Sequence, residues 1–118
     1  MRYHTQAQEL IRRSGGEARR LGHSYVGSVH LLLALCQAPG GTAQLLRSLG
    51  IEPEFLRELT RLLYGVGKPE LPLPQGFTPE ARTILRLASR EARQQGKRQV
   101  EPAHVLLAVA RAEHSGAG

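Results

Sequence analysis

A disulfide framework is excluded at once, because the 118 residues hold a single cysteine, Cys36. Between Leu35 and Gln37, with no evident base nearby in sequence, it reads as a small buried hydrophobe rather than a nucleophile. Tryptophan is absent and only 3 tyrosines and 2 phenylalanines are present, so the core must be aliphatic. No apolar run approaches the roughly 20 residues that span a bilayer, so no membrane association is expected. The opening MRYHTQAQ lacks the apolar stretch of a secretory signal. These absences together imply a soluble, cytoplasmic protein. Acidic residues are also few, 10 against 16 lysines and arginines, and the net charge of +6 permits an acidic partner without naming one. No segment alternates with period two, so no strand is expected and the fold class is all-α.

What the chain does have is punctuation, with 13 glycines and 7 prolines, and an internal repeat. The segment GSVHLLLAL at 27–35 recurs as PAHVLLAV at 102–109, each with a histidine before an apolar run. A shift of 74, which carries His30 onto His104, superposes Ala7 on Ala81 and Arg12 on Arg86. It also lays Glu17, Ala18 and Arg19 on Glu91, Ala92 and Arg93, Gly22 on Gly96, and Val26 on Val100. Leu32, Leu33 and Ala34 fall on Leu106, Leu107 and Ala108 without a gap. A duplication explains this register, and it implies two tandem helical units about a pseudo-twofold axis.

In the first copy Ala7, Leu10, Ile11, Ser14, Ala18 and Leu21 follow spacings of three and four, which predicts an amphipathic helix stopped by Gly22. Gly15 and Gly16 lie inside it at a cost of about 1 kcal/mol each relative to alanine, so either another backbone packs there or the helix is weak. Ser28 is the natural N-cap of a helix over about 29–37, ended by Pro39, Gly40 and Gly41. A short helix over 42–49 stops at Gly50, and a fourth opens at Pro53 with Phe55, Leu56, Leu59, Leu62 and Leu63 on one face. Thr78 caps and Pro79 opens the second copy's long helix, which runs to about Gln95. Glu101 and Pro102 start the last helix, which fades by Glu113. Leu32, Leu33, Leu106 and Leu107 are the expected core.

The order EARRLGHSYVGSVHLLLAL, TAQLLRSLGI, a proline-bearing linker, FTPEARTILRLASREA and VEPAHVLLAV resembles the double Clp repeat. That repeat forms the N-terminal domain of Clp-type AAA+ unfoldases of the ClpC, ClpA and ClpB kind. The resemblance implies one Clp N-type domain over 1–118, an all-α bundle that receives protein substrates and adaptor proteins above an ATPase ring. It implies no catalytic activity, cofactor or metal of the domain's own. It divides the chain into a repeat at about 5–64, a linker at 65–76 and a partial second repeat at 77–118. The shift places Gly118 opposite Gln44, so the second repeat is truncated at its C-terminus and lacks counterparts of Leu45 through Tyr64. Uncovered aliphatic surface is therefore expected, including parts of Leu85, Val105 and Val109, and with it self-association through that repeat. No ATPase module follows in the sequence, which leaves an excised domain or a stand-alone Clp-repeat protein sequestering a peptide or small molecule.

One departure bears on recognition. The family's motif is GTEH or TPEH, and its glutamate is replaced here by Val29 and by Ala103. In ClpC-like members those glutamates lie where the guanidinium of phosphoarginine-marked substrates is held, and an aliphatic side chain offers no carboxylate for it. Docking at the helix starts then rests on Ser28, Val29, Glu101, Pro102 and Ala103, two related shallow sites with apolar centres. Glu101 is the nearest carboxylate in sequence, shifted in position.

Other readings are weaker. His30 and His104 are better first-turn caps than ligands or acid-base groups, since no second His, Cys or carboxylate recurs at metal spacing. GVGK at 65–68 has Leu62 where a P-loop needs glycine and Pro69 where it needs Ser or Thr. Ser24, Ser28 and Ser48 lack a GxSxG elbow, so no enzyme is expected. A basic stripe of Arg82, Arg86, Arg90, Arg93, Lys97 and Arg98 is the basis of a nucleic-acid alternative. Glu80, Glu91 and Glu101 interleave with it and aromatics are few, so it reads as a solvated face.

Overall fold

A computed structural model describes residues 2–65 and 76–114, apart from the side chains of Arg2, Leu63, Tyr64, Glu113 and His114. The expected linker between Gly65 and Gly76, and the last four residues, lie outside the described residues. The elements in order are β1 (Arg2–Tyr3), α1 (Thr5–Arg20), α2 (Ser28–Leu35), α3 (Gly41–Ser48), α4 (Pro53–Tyr64), α5 (Pro79–Gln94), β2 (Gln99–Val100) and α6 (Pro102–His114).

Two helical hairpins, α1–α2 and α5–α6, make the frame. The buried stripe of α1 is Ala7, Leu10, Ser14, Glu17 and Ala18, and that of α5 is Ala81, Ile84, Ala88, Glu91 and Ala92, the same positions under the 74-residue shift. Both helices end on a glycine with left-handed backbone, φ 73° at Gly22 and 72° at Gly96. Beyond each, a backbone N–H reaches back to the last turn, His23 to the Ala18 carbonyl and Lys97 to that of Ala92, both at 2.9 Å. Helix α2 buries His30, Leu31, Leu33, Ala34 and Leu35 at the centre of the bundle, as a helix apolar on most sides must.

The duplication is joined reciprocally. β1 pairs in parallel with β2, Tyr3 opposite Val100, while an isolated parallel bridge sets Val26 opposite Phe77. Under the shift Tyr3 corresponds to Phe77 and Val26 to Val100, so each unit lends the other its lead-in segment. The closing bonds match as well, His4 N–H to the Val100 carbonyl and Thr78 N–H to the Val26 carbonyl, both 2.8 Å. This is an isologous interface within one chain.

The structure corrects several expectations. The two-residue strands were not visible as alternation, because two residues are too few to show a period. Gly27, not Ser28, is the N-cap of α2. Of the four expected core leucines only Leu33 is fully buried; Leu32, Leu106 and Leu107 are half-buried, and Leu31 and Val105 are the fully buried equivalents. Val105 is thus not left uncovered, although Leu85 and Val109 are half-buried. Among the described residues the most exposed large apolar side chains are on the first unit, at Tyr25, Leu45, Leu49, Phe55, Leu59 and Leu62. In α4, among the described side chains of the expected face, Leu56 points inward while Phe55, Leu59 and Leu62 are exposed, because Arg57 must face Glu17, whose buried carboxylate would otherwise stand alone. No backbone packs at Gly15 or Gly16, where an added Cβ would meet open space. Among the described residues no helix is long and apolar enough to cross a membrane.

Candidate functional site: two helix starts

The two repeated histidines are structural caps. Each is the third residue of its helix, and its Nδ1 accepts the N–H of the residue before the helix: Gly27 to His30 at 2.8 Å, Glu101 to His104 at 2.9 Å. This satisfies a backbone donor that the helix itself leaves unpaired. With Nδ1 accepting, the proton of each ring sits on Nε2. His104 donates it to Gln95 Oε1 at 3.1 Å. His30 donates it to His23 Nδ1 at 2.9 Å, and His23 in turn donates from Nε2 to the Gly65 carbonyl at 3.0 Å. Burial, and then the neighbouring His23 ring, lower the pKa of His30 to about 4, against a smaller opposite pull from Glu17.

Around the start of α2 the surface opens into two hollows that share Ser28, Val29 and the carboxylate-bearing Glu80. One, of about 220 Å³, is also lined by His23, Tyr25 and Thr78. The other, of about 400 Å³, runs along Leu32, Leu56, Leu59, Thr83 and Val109. At the start of α6, Ala103 is exposed and lines a hollow of about 710 Å³ with Leu45, Leu49, Leu106, Leu107 and Ala110. Pro102 is buried, and Glu101 lines a separate depression with Lys97, Arg98 and Gln99. The five expected site residues therefore lie at two helix starts, and Glu101 does not line the hollow of Ala103.

The carboxylate beside Val29 is Glu80, and Thr78 stands with it. Sequence reasoning missed both, because they come from the other unit, carried in by the Val26–Phe77 bridge. The signal was available, since the shift that joins the histidines also lays aromatic Tyr3 on aromatic Phe77. Cys36 is buried, and burial raises its thiol pKa above the ordinary value, as suits a core residue. Among the described residues no three His, Cys, Asp or Glu side chains are grouped to hold a metal ion.

Comparison with known proteins places this geometry. The family described as Clp repeat (R) N-terminal domain matches residues 2–118. Chaperone protein ClpB of Oceanobacillus iheyensis is 37% identical over 111 residues, 93% of this chain and 14% of the relative. Chloroplastic chaperone protein ClpC of Pisum sativum is 35% identical over 111 residues, again 93% of this chain and 12% of the relative. The chain thus spans about one seventh or less of the length of these relatives. The N-terminal domain of ClpD from Arabidopsis thaliana superposes with a TM-score of 0.71 at 21% identity, covering 92% of this chain and 75% of the other. That of Hsp104 from Candida albicans gives 0.73 at 19% identity, covering 92% and 73%; both likenesses establish the fold alone.

Proposed function

This chain belongs to the Clp repeat N-terminal domain family, and from that premise we propose that it is a non-catalytic docking module of a Clp-type chaperone. In this reading it receives protein substrates or adaptor proteins for an ATPase ring. The division into a repeat at about 5–64, a linker at 65–76 and a partial repeat at 77–118 is part of the proposal. The observation that carries it is the pair of pseudo-equivalent helix starts, each opening on a solvent-facing hollow with an aliphatic residue, Val29 or Ala103, on its rim. Ser28 and Val29 make the first contact surface. Ala103 makes the second, with Pro102 packing the first turn of α6 and the Glu101 N–H tied to His104.

An apolar or neutral peptide group suits these rims better than a phosphorylated arginine, whose guanidinium would be desolvated against Val29 or Ala103. Glu80 lines the hollow beside Val29 but belongs to the other unit. The test is a titration of isotope-labelled protein with an unfolded apolar peptide, followed by backbone amide shifts. Shifts clustered at 28, 29 and 103, lost in the double change Val29→Asp with Ala103→Asp, support the reading; shifts confined to other surfaces sink it. Calorimetry with free phosphoarginine should show no micromolar binding by the unmodified protein, and Val29→Glu with Ala103→Glu should create some.

A further inference from the structure

Helices α1 and α5 are copies with the same buried stripe, yet their outer faces have diverged. At about 100° per residue, Arg82, Arg86, Arg90 and Arg93 fall within an arc of about 80°, a row about 16 Å long. All four are exposed. The matching positions of α1 are Gln8, Arg12, Gly16 and Arg19. There Glu9 neutralises the row, pairing with Arg12 and lying 3.9 Å from Arg13. In α5 that position is Thr83, whose hydroxyl accepts a hydrogen bond from Arg86 at 3.2 Å and brings no charge.

The glutamates that interleave with the arginines in sequence do not reach the row. Glu91 is buried on the inner stripe and pairs with Arg111 of α6. Glu80 lines the Val29 hollow, and Glu101 lies beyond the helix beside Lys97 and Arg98. Among the described residues none of the four arginines forms an ion pair. Neighbours four apart therefore repel one another along the helix. The fold does not require such a face, since α1 makes the same hairpin with a largely neutralised one.

We propose that the arginine row of α5, which adjoins the Val29 hollow at Thr83 but does not include the helix starts, is a second docking surface for an acidic helical segment of a partner protein. A helix with carboxylates at matching spacing of four, four and three sets one carboxylate against each guanidinium fork, where paired N–H donors meet paired oxygens. A nucleic-acid strand fits less well, because α5 has no aromatic residue on which a base could stack.

The test is fluorescence anisotropy at physiological salt with two labelled helical peptides of identical composition. In one the glutamates follow the four-four-three spacing, and in the other they are spread around the helix. The matched peptide should bind at least about tenfold more tightly. Arg86→Glu with Arg90→Glu, its helicity checked by circular dichroism, should lose that preference, while Arg12→Glu on α1 should keep it. Equal affinity for both peptides would show charge without a docking geometry and overturn the proposal. So would tighter binding of a single-stranded oligonucleotide, or an unchanged preference in the double variant. Because none of these changes touches Ser28, Val29 or Ala103, failure here leaves the helix-start reading standing.

Discussion

The hairpins α1–α2 and α5–α6 bury a glutamate and a histidine at matching positions but satisfy them differently. In the second hairpin both partners come from within it or its connecting turn, Arg111 for Glu91 and Gln95 for His104. In the first, Glu17 is held by Arg57 of α4 at 2.9 Å and by Gln37 at 3.1 Å, and the histidine chain ends on the Gly65 carbonyl after α4. The second hairpin thus satisfies its buried glutamate and histidine from its own residues, whereas the first copy uses these groups as pins for an added helix. Those pins explain why α4 turns Leu59 and Leu62 outward: its rotation is set by a charge.

The comparison breaks most severely in the core. Leu31→Asp or Val105→Asp places an unpaired carboxylate at a fully buried position in each copy and should cost more than about 4 kcal/mol, enough to abolish the cooperative melt. Leu106→Asp, on the rim of a hollow, should fold with a loss of about 1 kcal/mol. Thermal denaturation followed by circular dichroism separates the three; equal losses would mean that the copies do not share the burial seen here.

Removing a pin should cost less. Arg57→Ala leaves Glu17 buried with only Gln37 and a distant Arg20, and should destabilise by about 2–3 kcal/mol in urea denaturation. Arg111→Ala removes a side chain that is 58% exposed but leaves Glu91 buried without its partner, and should cost somewhat less, about 1–2 kcal/mol. The reverse order would undo the distinction between the two hairpins.

A pH series sharpens the same contrast. His30 titrates at about 4 in the fold against about 6.5 unfolded, so the unfolded chain binds the proton first. Its contribution is complete above about pH 6.5 and is lost as pH falls toward 4, by up to about 3 kcal/mol. Burial opposes the charge of Glu17, but the bonds from Arg57 and Gln37 outweigh it and its pKa is lowered. The Glu17 contribution is therefore present above its ordinary value of 4.5 and lost below it. His30→Asn should flatten the upper window and leave the lower; a slope unchanged between pH 6.5 and 4.5 would remove His30 as its source.

The smallest effect is at Gly16, where α5 carries Arg90. An added Cβ there meets open space, so Gly16→Ala should stabilise by about 0.5–1 kcal/mol through backbone entropy, read as a higher melting temperature. A destabilised variant would show a close contact at that face.

Most of the helical frame was legible in the sequence. Leu10 and Ile84, Glu17 and Glu91, and the glycine stops at Gly22 and Gly96 are local signals, set by periodicity and backbone freedom within a few residues. Even the role of His30 and His104 could be read, because a first-turn side chain meets its own helix end. The site was legible only in half. Val29 and Ala103 mark two helix starts, but nothing near them in the chain announces that Glu80 and Thr78 share the hollow of Val29.

Helix positions, the glycine stops and the duplicated register were determined by the sequence alone, since each is written in the local periodicity and punctuation of the chain. Tertiary structure decided which face of α4 turns inward, which glutamates neutralise which arginines, and which unit completes each site. Those outcomes depend on where a buried charge finds its partner, and for Glu17 that partner is forty residues away. A bare row of arginines on α5 became visible only once Glu91 was seen to point into the core, a direction that follows from the packing of α5 against α6.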